Sequence, residues 1–317
     1  MKAATTQGFG PYSSFVIKDV TRPKVATKDV LVEVYASSVN PKDWKLNQKV
    51  SSVIPPLGCL KNTHIIGDDL AGIVVDKGEQ VTGFDIGDEV YGMDMNLRTA
   101  ACAEYAKISQ RCIAHKPATL SFSEAASVPL AALTALQAFY IGKLSEGSRV
   151  LIVGASGGVG TFAVQIARAM GAKVTAVCSG KNAELVTSLG AAKVIDYTTH
   201  DYLKEENDFD MIFDATSFEG LASCSSLMKD DGVFVTTVGH GKAFFDLFKA
   251  QLSQGDQKAR SVFVQSRTKD LETLTHFIDE GKVKPVLDSQ YPLAKIDDAF
   301  TRSKTGRARG KIVINIK

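Results

Sequence analysis

Seven residues, 154–160, constrain this chain more than any other stretch, because they read Gly-Ala-Ser-Gly-Gly-Val-Gly between an apolar run and an apolar-periodic segment. Residues 150–153 have the composition of a buried strand, and the spacing predicts a helix over 160–171. A glycine-rich turn between a strand and a helix is typical of dinucleotide-binding folds, in which N–H groups at the helix start face phosphates. The alternative interpretation is a tight turn that binds no ligand.

The small residues of this turn have distinct predicted roles. Ala155 should make the turn, Gly157 should let the backbone approach a pyrophosphate, and Gly160 should let helix and strand pack closely. The residues predicted to contact a dinucleotide here are Gly157, Gly158, Val159 and Gly160.

Strands and helices alternate from residue 149 onward. Predicted strands lie at 150–153, 173–178, 193–196, 211–214, 233–238 and 261–264. This alternation predicts an α/β fold of the Rossmann type, with a doubly wound parallel sheet covered on both faces. The first third of the chain instead reads as short strands separated by glycine turns. A last strand at 311–316 has no helix after it, so it can return to the first domain.

Composition excludes several classes of function. The 317 residues include 37 Lys plus Arg and 35 Asp plus Glu, and this balance argues against a nucleic-acid binder. Five cysteines without paired spacing predict a reducing, cytoplasmic compartment rather than a disulfide scaffold. Residues 125–142 carry no charge, but their polar residues and alanines favour a buried helix over a membrane span. Ser121 and Glu124 predict a capping box just before that stretch.

The end of the second predicted strand of the alternating region indicates which nicotinamide cofactor binds. NAD sites usually place Asp or Glu about twenty residues past the glycines, where it holds the ribose hydroxyls. This chain has Ser179, Lys181 and Asn182 there, which offer a hydroxyl and an ammonium but no carboxylate. An ammonium can pair with a 2′-phosphate, so the sequence predicts NADPH. The alternative is that Lys181 is an ordinary solvated loop lysine.

Further motifs extend over nearly the whole chain. They are Val-Asn-Pro-Lys-Asp-Trp-Lys at 39–45, the stretch 67–75, Phe-Asp-Ile-Gly-Asp-Glu-Val-Tyr-Gly at 84–92, Ala-Ala-Leu-Thr-Ala at 131–135 and Arg-Gly-Lys-Ile-Val at 309–313. With the glycine turn, they make the chain resemble the medium-chain dehydrogenase/reductase superfamily. Within it, the chain resembles the zinc-independent quinone oxidoreductases and the alkenal and enone reductases.

The resemblance implies two domains. A β-rich, GroES-like catalytic domain would comprise residues 1–118 together with the returning segment 285–317. A Rossmann NADPH-binding domain would comprise residues 119–284. The cleft between the two would hold nicotinamide and substrate.

The resemblance also implies cofactor contacts at matching positions. Asn40 and Lys45 would approach the nicotinamide and phosphate side, and Thr134 the nicotinamide end. Tyr197 would join Ser179 and Lys181 around the 2′-phosphate, unless it is simply a surface aromatic. The remaining cofactor contacts expected are Val238, Gly239 and Lys311.

The ligands for a zinc ion are missing from the sequence. Zinc-dependent relatives carry Gly-His-Glu where this chain has Gly67, Asp68 and Asp69. Near the expected structural zinc lobe there are only Cys102 and Cys112, and two thiols cannot supply four ligands. The sequence therefore predicts an enzyme without zinc.

Without zinc, no Lewis acid stabilises an alkoxide, so reduction of an electron-poor acceptor is expected. We expect hydride transfer to quinones or to the activated C=C bond of enals and enones. Asn40 and Lys45 are candidates for a catalytic role, and the proton donor stays unassigned. The alternatives are an enoyl-thioester reductase and an NADPH-binding, crystallin-like protein with little turnover. A homodimer is expected from the resemblance.

Overall fold

The computed structural model describes residues 1–7, 14–44, 65–94, 100–204, 208–237 and 258–317. Within these residues the chain divides into two compact units. Unit 1 comprises 1–130, 265–279 and 285–317, and unit 2 comprises 131–264 and 280–284. The domain boundaries given above stay a prediction, and this division differs from them at 119–130 and 265–279.

Unit 1 is built on antiparallel strands. Its strands are β1 (Lys2–Gln7), β2 (Ser14–Asp19), β3 (Asp29–Val39), β4 (Asp69–Lys77), β5 (Glu89–Met93), β6 (Tyr105–Ser109), β7 (Ile113–His115), β14 (Leu287–Pro292) and β15 (Lys311–Asn315). β1 and β2 form a pair. The others form a seven-stranded sheet in the order β14-β15-β3-β4-β5-β7, with β6 also paired to β3. β15 returns to the first part of the chain, as the sequence predicted.

The long strand β3 organises this unit because its alternate residues enter the core. Val30, Val32 and Val34 are fully buried and pack in one apolar cluster with Leu70 of β4 and Ile108 of β6. β-branched residues suit such a pleated, packed surface. The packing fixes the register that brings the carboxyl end of β3 beside β15 and the start of β4.

The sequence predicts one buried helix over the uncharged stretch 125–142. The structure instead divides this stretch between two helices. Helix α1 (Phe122–Ala126) starts with the predicted capping box between Ser121 and Glu124, and α2 (Pro129–Ile141) follows. Pro129 starts the second helix because proline lacks the N–H that a continuing helix would need. Among the described residues, no helix is long and apolar enough to cross a membrane.

Unit 2 is a parallel sheet of six strands in the order β10-β9-β8-β11-β12-β13. The strands are β8 (Arg149–Val153), β9 (Lys173–Cys178), β10 (Lys193–Asp196), β11 (Phe209–Asp214), β12 (Met228–Thr237) and β13 (Lys258–Val262). The helices of unit 2 are most of α2, α3 (Gly158–Ala169), α4 (Ala183–Ser188) and α5 (Leu221–Cys224), while α6 (Thr268–Asp279) and α7 (Ile296–Lys304) belong to unit 1. The predicted doubly wound α/β fold is confirmed.

Several boundaries in unit 2 differ from their predictions; β13, for example, is Lys258–Val262 rather than 261–264. Helix α3 begins at Gly158, two residues before the predicted start, and its N-cap residue, Gly157, has no side chain that would mark the boundary. Strand β12 begins at Met228 rather than at 233, and its register against β11 shifts after the first pair. The chain order reverses between β8 and β11, and parallel sheets bind ligands at the carboxyl ends of strands at such a point.

Candidate active site

Gly154 forces the turn at the carboxyl end of β8. Its φ is +80°, a left-handed conformation that favours glycine, whereas Ala155 is buried beside it. Ala155 is a central residue of this turn, which the Gly157 N–H closes onto the Gly154 carbonyl at 3.1 Å, but the left-handed residue is Gly154. The N–H groups of both residues donate to the carbonyl of Val177 at 3.1 and 3.0 Å, which attaches the turn to β9.

Gly157 and Gly160 are needed in this turn for different reasons. A Cβ on Gly160 would lie 2.1 Å from the carbonyl oxygen of Gly154, so helix and turn pack too closely for any side chain. A Cβ on Gly157 would meet only that same oxygen, at 3.4 Å, so open space lies next to the backbone there. That open space is a cradle that a ligand can approach.

The start of α3 has the properties of an anion site. Its N-cap residue, Gly157, forms no side-chain cap, and the first turn holds no acidic residue. The first N–H groups of a helix have no partner within the helix, and the helix dipole favours negative charge beside them. Gly158, Val159 and Gly160 carry these groups, so the residues present fit the pyrophosphate of a nicotinamide dinucleotide.

The loop after β9 lies beside the glycine turn. Asn182 is buried, and its side-chain amide donates to Ser156 Oγ at 2.9 Å and to Ser179 Oγ at 3.2 Å. Lys181 is exposed and Ser179 is partly exposed. Tyr197 is also exposed, and its backbone N–H donates to the carbonyl of Cys178 at 3.2 Å. The four residues predicted for the adenosine end thus lie in this loop or just after β10, which pairs with β9, and their cofactor roles stay predictions.

An acidic residue that the sequence analysis missed lies at this same edge. Asp196 ends β10 and pairs in register with Cys178 at the end of β9. Its carboxylate lies against the backbone of Gly180, in the middle of the loop. Neighbouring parallel strands end at the same edge of a sheet, so the sequence signal for this acid was present at the end of the third strand.

Other predicted cofactor residues have different positions. Thr134 lies on α2 in unit 2 and is buried. Lys45, Val238 and Gly239 lie outside the described residues. Their predicted roles stay predictions.

Unit 1 contains a buried chain of polar groups that starts at Lys311. The ammonium of Lys311 donates to Asn40 Oδ1 at 2.6 Å, and Asn40 Nδ2 donates to Asp69 Oδ2 at 2.8 Å. Asp69 also accepts from the Leu130 N–H at 2.8 Å and from the Ser38 hydroxyl. Burial lowers the pKa of Lys311, while the carboxylates of Asp69 and others nearby oppose that change. Asn40 is therefore held rigidly from two sides.

Two further acidic residues, Asp43 and Asp68, lie beside this buried chain of polar groups. Asp68 is buried, and its Oδ2 lies 2.7 Å from the Lys42 ammonium. Asp43 Oδ2 accepts the backbone N–H of Asn40 at 2.9 Å. Burial and the nearby Asp68 carboxylate raise the pKa of Asp43, and burial raises that of Asp68 against the opposing effect of Lys42. These groups hold protons more strongly than ordinary carboxyls.

Known proteins resemble this chain over its whole length. An alcohol dehydrogenase GroES-like domain matches residues 26–138, and a zinc-binding dehydrogenase family matches 189–314. A chloroplast envelope quinone oxidoreductase homolog of Arabidopsis thaliana is 31% identical over 302 residues, covering 92% of this chain and 91% of that protein. The chain belongs to the medium-chain dehydrogenase/reductase superfamily.

Two further matches also extend over nearly the whole of this chain. An NADPH-dependent alkenal/one oxidoreductase of Arabidopsis thaliana is 31% identical, covering 99% of this chain and 79% of that protein. The solved quinone oxidoreductase of Coxiella burnetii superposes with a TM-score of 0.86 at 28% identity, over 100% of this chain and 99% of that one. The predicted family, the fold, and an oxidoreductase with a nicotinamide cofactor are confirmed.

One matching family is named for zinc, but the residues described here do not fit a zinc ion. Asp69 is hydrogen-bonded within the protein, and Asp68 pairs with Lys42. In the described part of the chain, no three His, Cys, Asp or Glu side chains are grouped as metal ligands. Function without zinc stays a prediction of the sequence.

Proposed function

We propose that the chain is an NADPH-dependent reductase that transfers hydride to quinones or to the activated C=C bond of enals and enones, without zinc. The observation that carries the proposal is the uncapped start of α3, with open space at Gly157, near the partly exposed Ser179 and the exposed Lys181. The names of the quinone and alkenal/one oxidoreductases support the same reaction.

The residues of unit 2 hold the cofactor in this proposal. N–H groups at the start of α3 bind the pyrophosphate, and the Lys181 ammonium pairs with the 2′-phosphate. Asn182 keeps Ser179 beside the glycine turn through its two hydrogen bonds. When bound, the reduced nicotinamide supplies the hydride.

A quinone or an enone spreads the incoming negative charge over its own conjugated system, so the protein needs to orient the acceptor and exclude water. Asn40 and Lys45 stay the candidates for contact on the nicotinamide side. The amide of Asn40 is oriented in advance, because Lys311 and Asp69 fix both of its polar atoms. Lys311 holds Asn40 through this hydrogen bond, and its own predicted contact with the cofactor stays a prediction.

The test is NADPH oxidation with a quinone, a short enal and an enoyl thioester, measured side by side through the nicotinamide absorbance. We expect turnover with the quinone or the enal, and slower turnover with the thioester. Much faster turnover of the thioester would identify an enoyl-thioester reductase instead. NADPH binding without turnover of any acceptor would support the crystallin-like alternative.

A cytoplasmic location and a homodimer are further parts of the proposal. The four described cysteines are free and buried, which agrees with a reducing compartment. Fractionation of cells and size-exclusion chromatography with light scattering test the two statements separately. Co-fractionation with an organelle would contradict the first, and a monomeric mass would contradict the second.

A further inference from the structure

The carboxylate of Asp196 is fully engaged by its own surroundings. Oδ1 accepts hydrogen bonds from the Thr198 N–H at 2.9 Å and from the Thr198 hydroxyl at 2.7 Å. The other oxygen, Oδ2, lies directly against the backbone of Gly180 in the loop after β9. The hydrogen bonds from Thr198 are the main cause that lowers the pKa of Asp196, and nearby His200 adds to the effect. The group is an anion near neutral pH.

The backbone of the loop lies directly against this carboxylate. A Cβ on Gly180 would lie 2.2 Å from Asp196 Oδ2, so no side chain fits at that position. The residues on either side of Gly180 in the loop are Ser179 and Lys181, the two side chains proposed for the 2′-phosphate. Holding the backbone of Gly180 in place therefore orients the side chains of Ser179 and Lys181.

The acidic residue that selects NAD in other dinucleotide sites differs from Asp196 in position and in hydrogen-bond partners. It follows the second strand and accepts hydrogen bonds from the ribose hydroxyls. Asp196 ends the third strand, where Oδ1 accepts two hydrogen bonds from Thr198 and Oδ2 lies against Gly180. The presence of an acid at this edge is therefore compatible with NADPH.

We propose that Asp196 is a positioning residue for cofactor choice: it holds Gly180 so that Ser179 and Lys181 face the 2′-phosphate of NADPH. The inference rests on the proposed function. It adds a residue from a different strand to the set that distinguishes NADPH from NADH. The opposite possibility is that the negative charge of Asp196 repels the 2′-phosphate and favours NADH.

The experiment compares two ligands that differ only in the 2′-phosphate, adenosine 2′,5′-bisphosphate and 5′-AMP, by isothermal titration calorimetry. The proteins are the wild type, Asp196→Ala, Asp196→Asn and the control Asp201→Ala. The control removes an acid five positions further along the chain, which pairs with exposed Lys204 and accepts the Leu203 N–H. Asp196→Ala should weaken the bisphosphate about tenfold, the effect of losing a hydrogen bond to a charged group, and 5′-AMP less than about twofold. Asp196→Asn keeps the size of this side chain against Gly180 and should bind the bisphosphate at least as well as the wild type. The control should leave both affinities unchanged.

Kinetics separate positioning from a general structural defect. With NADPH, Asp196→Ala should raise KM and leave kcat unchanged, because the 2′-phosphate is remote from the transferred hydride. With NADH, KM and kcat of this variant should each stay within about twofold of the wild-type value. A fall in kcat with both cofactors, together with a lower melting temperature, would show a merely structural role and overturn the proposal.

Gly180→Ala provides an independent test, because its methyl group collides with Asp196. It should weaken the bisphosphate in the wild type but cause little further loss in the Asp196→Ala background, where the collision is relieved. Additive losses would contradict the contact. Tighter bisphosphate binding by Asp196→Ala would show that the acid repels the phosphate and would also overturn the proposal.

The outcomes distinguish this inference from the function on which it rests. If the wild type binds both ligands equally, the NADPH proposal and the role of Asp196 both fail. If the wild type prefers the bisphosphate and Asp196→Ala keeps that preference, only the role of Asp196 fails.

Discussion

Lys311 Nζ lies 2.6 Å from Asn40 Oδ1, although the two residues are 271 positions apart in the chain. The pairing of β15 with β3 creates this contact, since Ile312 pairs with Val39 directly beside it. The same ammonium lies 3.6 Å from Asp69 Oδ2, so a buried positive charge and a buried negative charge share one amide between them.

Lys311→Met should therefore be strongly destabilising. It keeps most of the apolar stem but leaves the buried Asp69 without its cation, a change that costs about 3–5 kcal/mol of unfolding free energy. Lys317→Met is the matched control, because Lys317 forms an exposed ion pair with Glu33 and should lose at most about 1 kcal/mol. Urea unfolding measures both values. Equal losses in the two variants would contradict the importance of the buried pair.

Gly160→Ala should reduce stability, whereas Gly157→Ala should reduce the affinity for NADPH. The methyl group at 160 collides with backbone, so unfolding free energy should fall by about 1–3 kcal/mol. The methyl group at 157 fits the protein but fills the cradle, so stability should persist while NADPH affinity falls about tenfold. Thermal melts and NADPH titrations check the pair. Unchanged NADPH affinity in a folded Gly157→Ala protein would exclude phosphate binding at this turn.

Lys181→Ala should raise KM for NADPH about tenfold and leave NADH nearly unaffected, because only the former has a 2′-phosphate to pair with. The salt dependence of NADPH binding should also decrease. Lys181→Glu should go further and narrow or reverse the cofactor preference. Lys204→Ala is the control, since Lys204 is an exposed lysine of the same unit. If Lys181→Ala behaves like this control, Lys181 is a solvated surface residue.

Active protein should contain no stoichiometric zinc, and strong chelators should not reduce its activity. Asp68 and Asp69, which stand where zinc-dependent relatives have His and Glu, contact Lys42 and Asn40. Elemental analysis of an active preparation measures the metal directly. About one zinc ion per chain would disprove the prediction.

Stability should respond to pH through Asp43. Burial and the neighbouring Asp68 raise its pKa to about 8, so the folded protein binds a proton that the unfolded chain releases near its ordinary pKa of 3.8. The unfolding free energy should therefore fall as pH rises from about 4 to about 8, with a slope of at most about 1.4 kcal/mol per pH unit.

Asp43→Asn provides the comparison for this pH effect, because it mimics the protonated acid and keeps an acceptor for the Asn40 N–H. Its stability relative to the wild type should increase across that range. Urea unfolding at several pH values measures the difference, and parallel curves for the two proteins would show that Asp43 titrates normally.

The sequence predicts features that depend on local patterns. The alternating apolar runs predict the parallel sheet, and the glycine spacing predicts a tight turn between β8 and α3, because both depend on neighbouring residues. The Lys311–Asn40–Asp69 chain could not be derived in this way, since it depends on the register among β15, β3 and β4. Asp196 lies between these cases: its strand was predicted, but its contact with Gly180 requires the two strands to end side by side.

The return of β15 to unit 1 determines the order in which the units can form on the ribosome. Residues 131–264, which make up most of unit 2, emerge before the segment that carries Lys311. At about 5–20 residues per second, roughly ten to forty seconds pass between the synthesis of residue 130 and that of Lys311. During this interval β3 has no β15 beside it and Asp69 has no ammonium partner. Unit 2 can therefore mature first, while the amino-terminal part of the chain waits for its last strand.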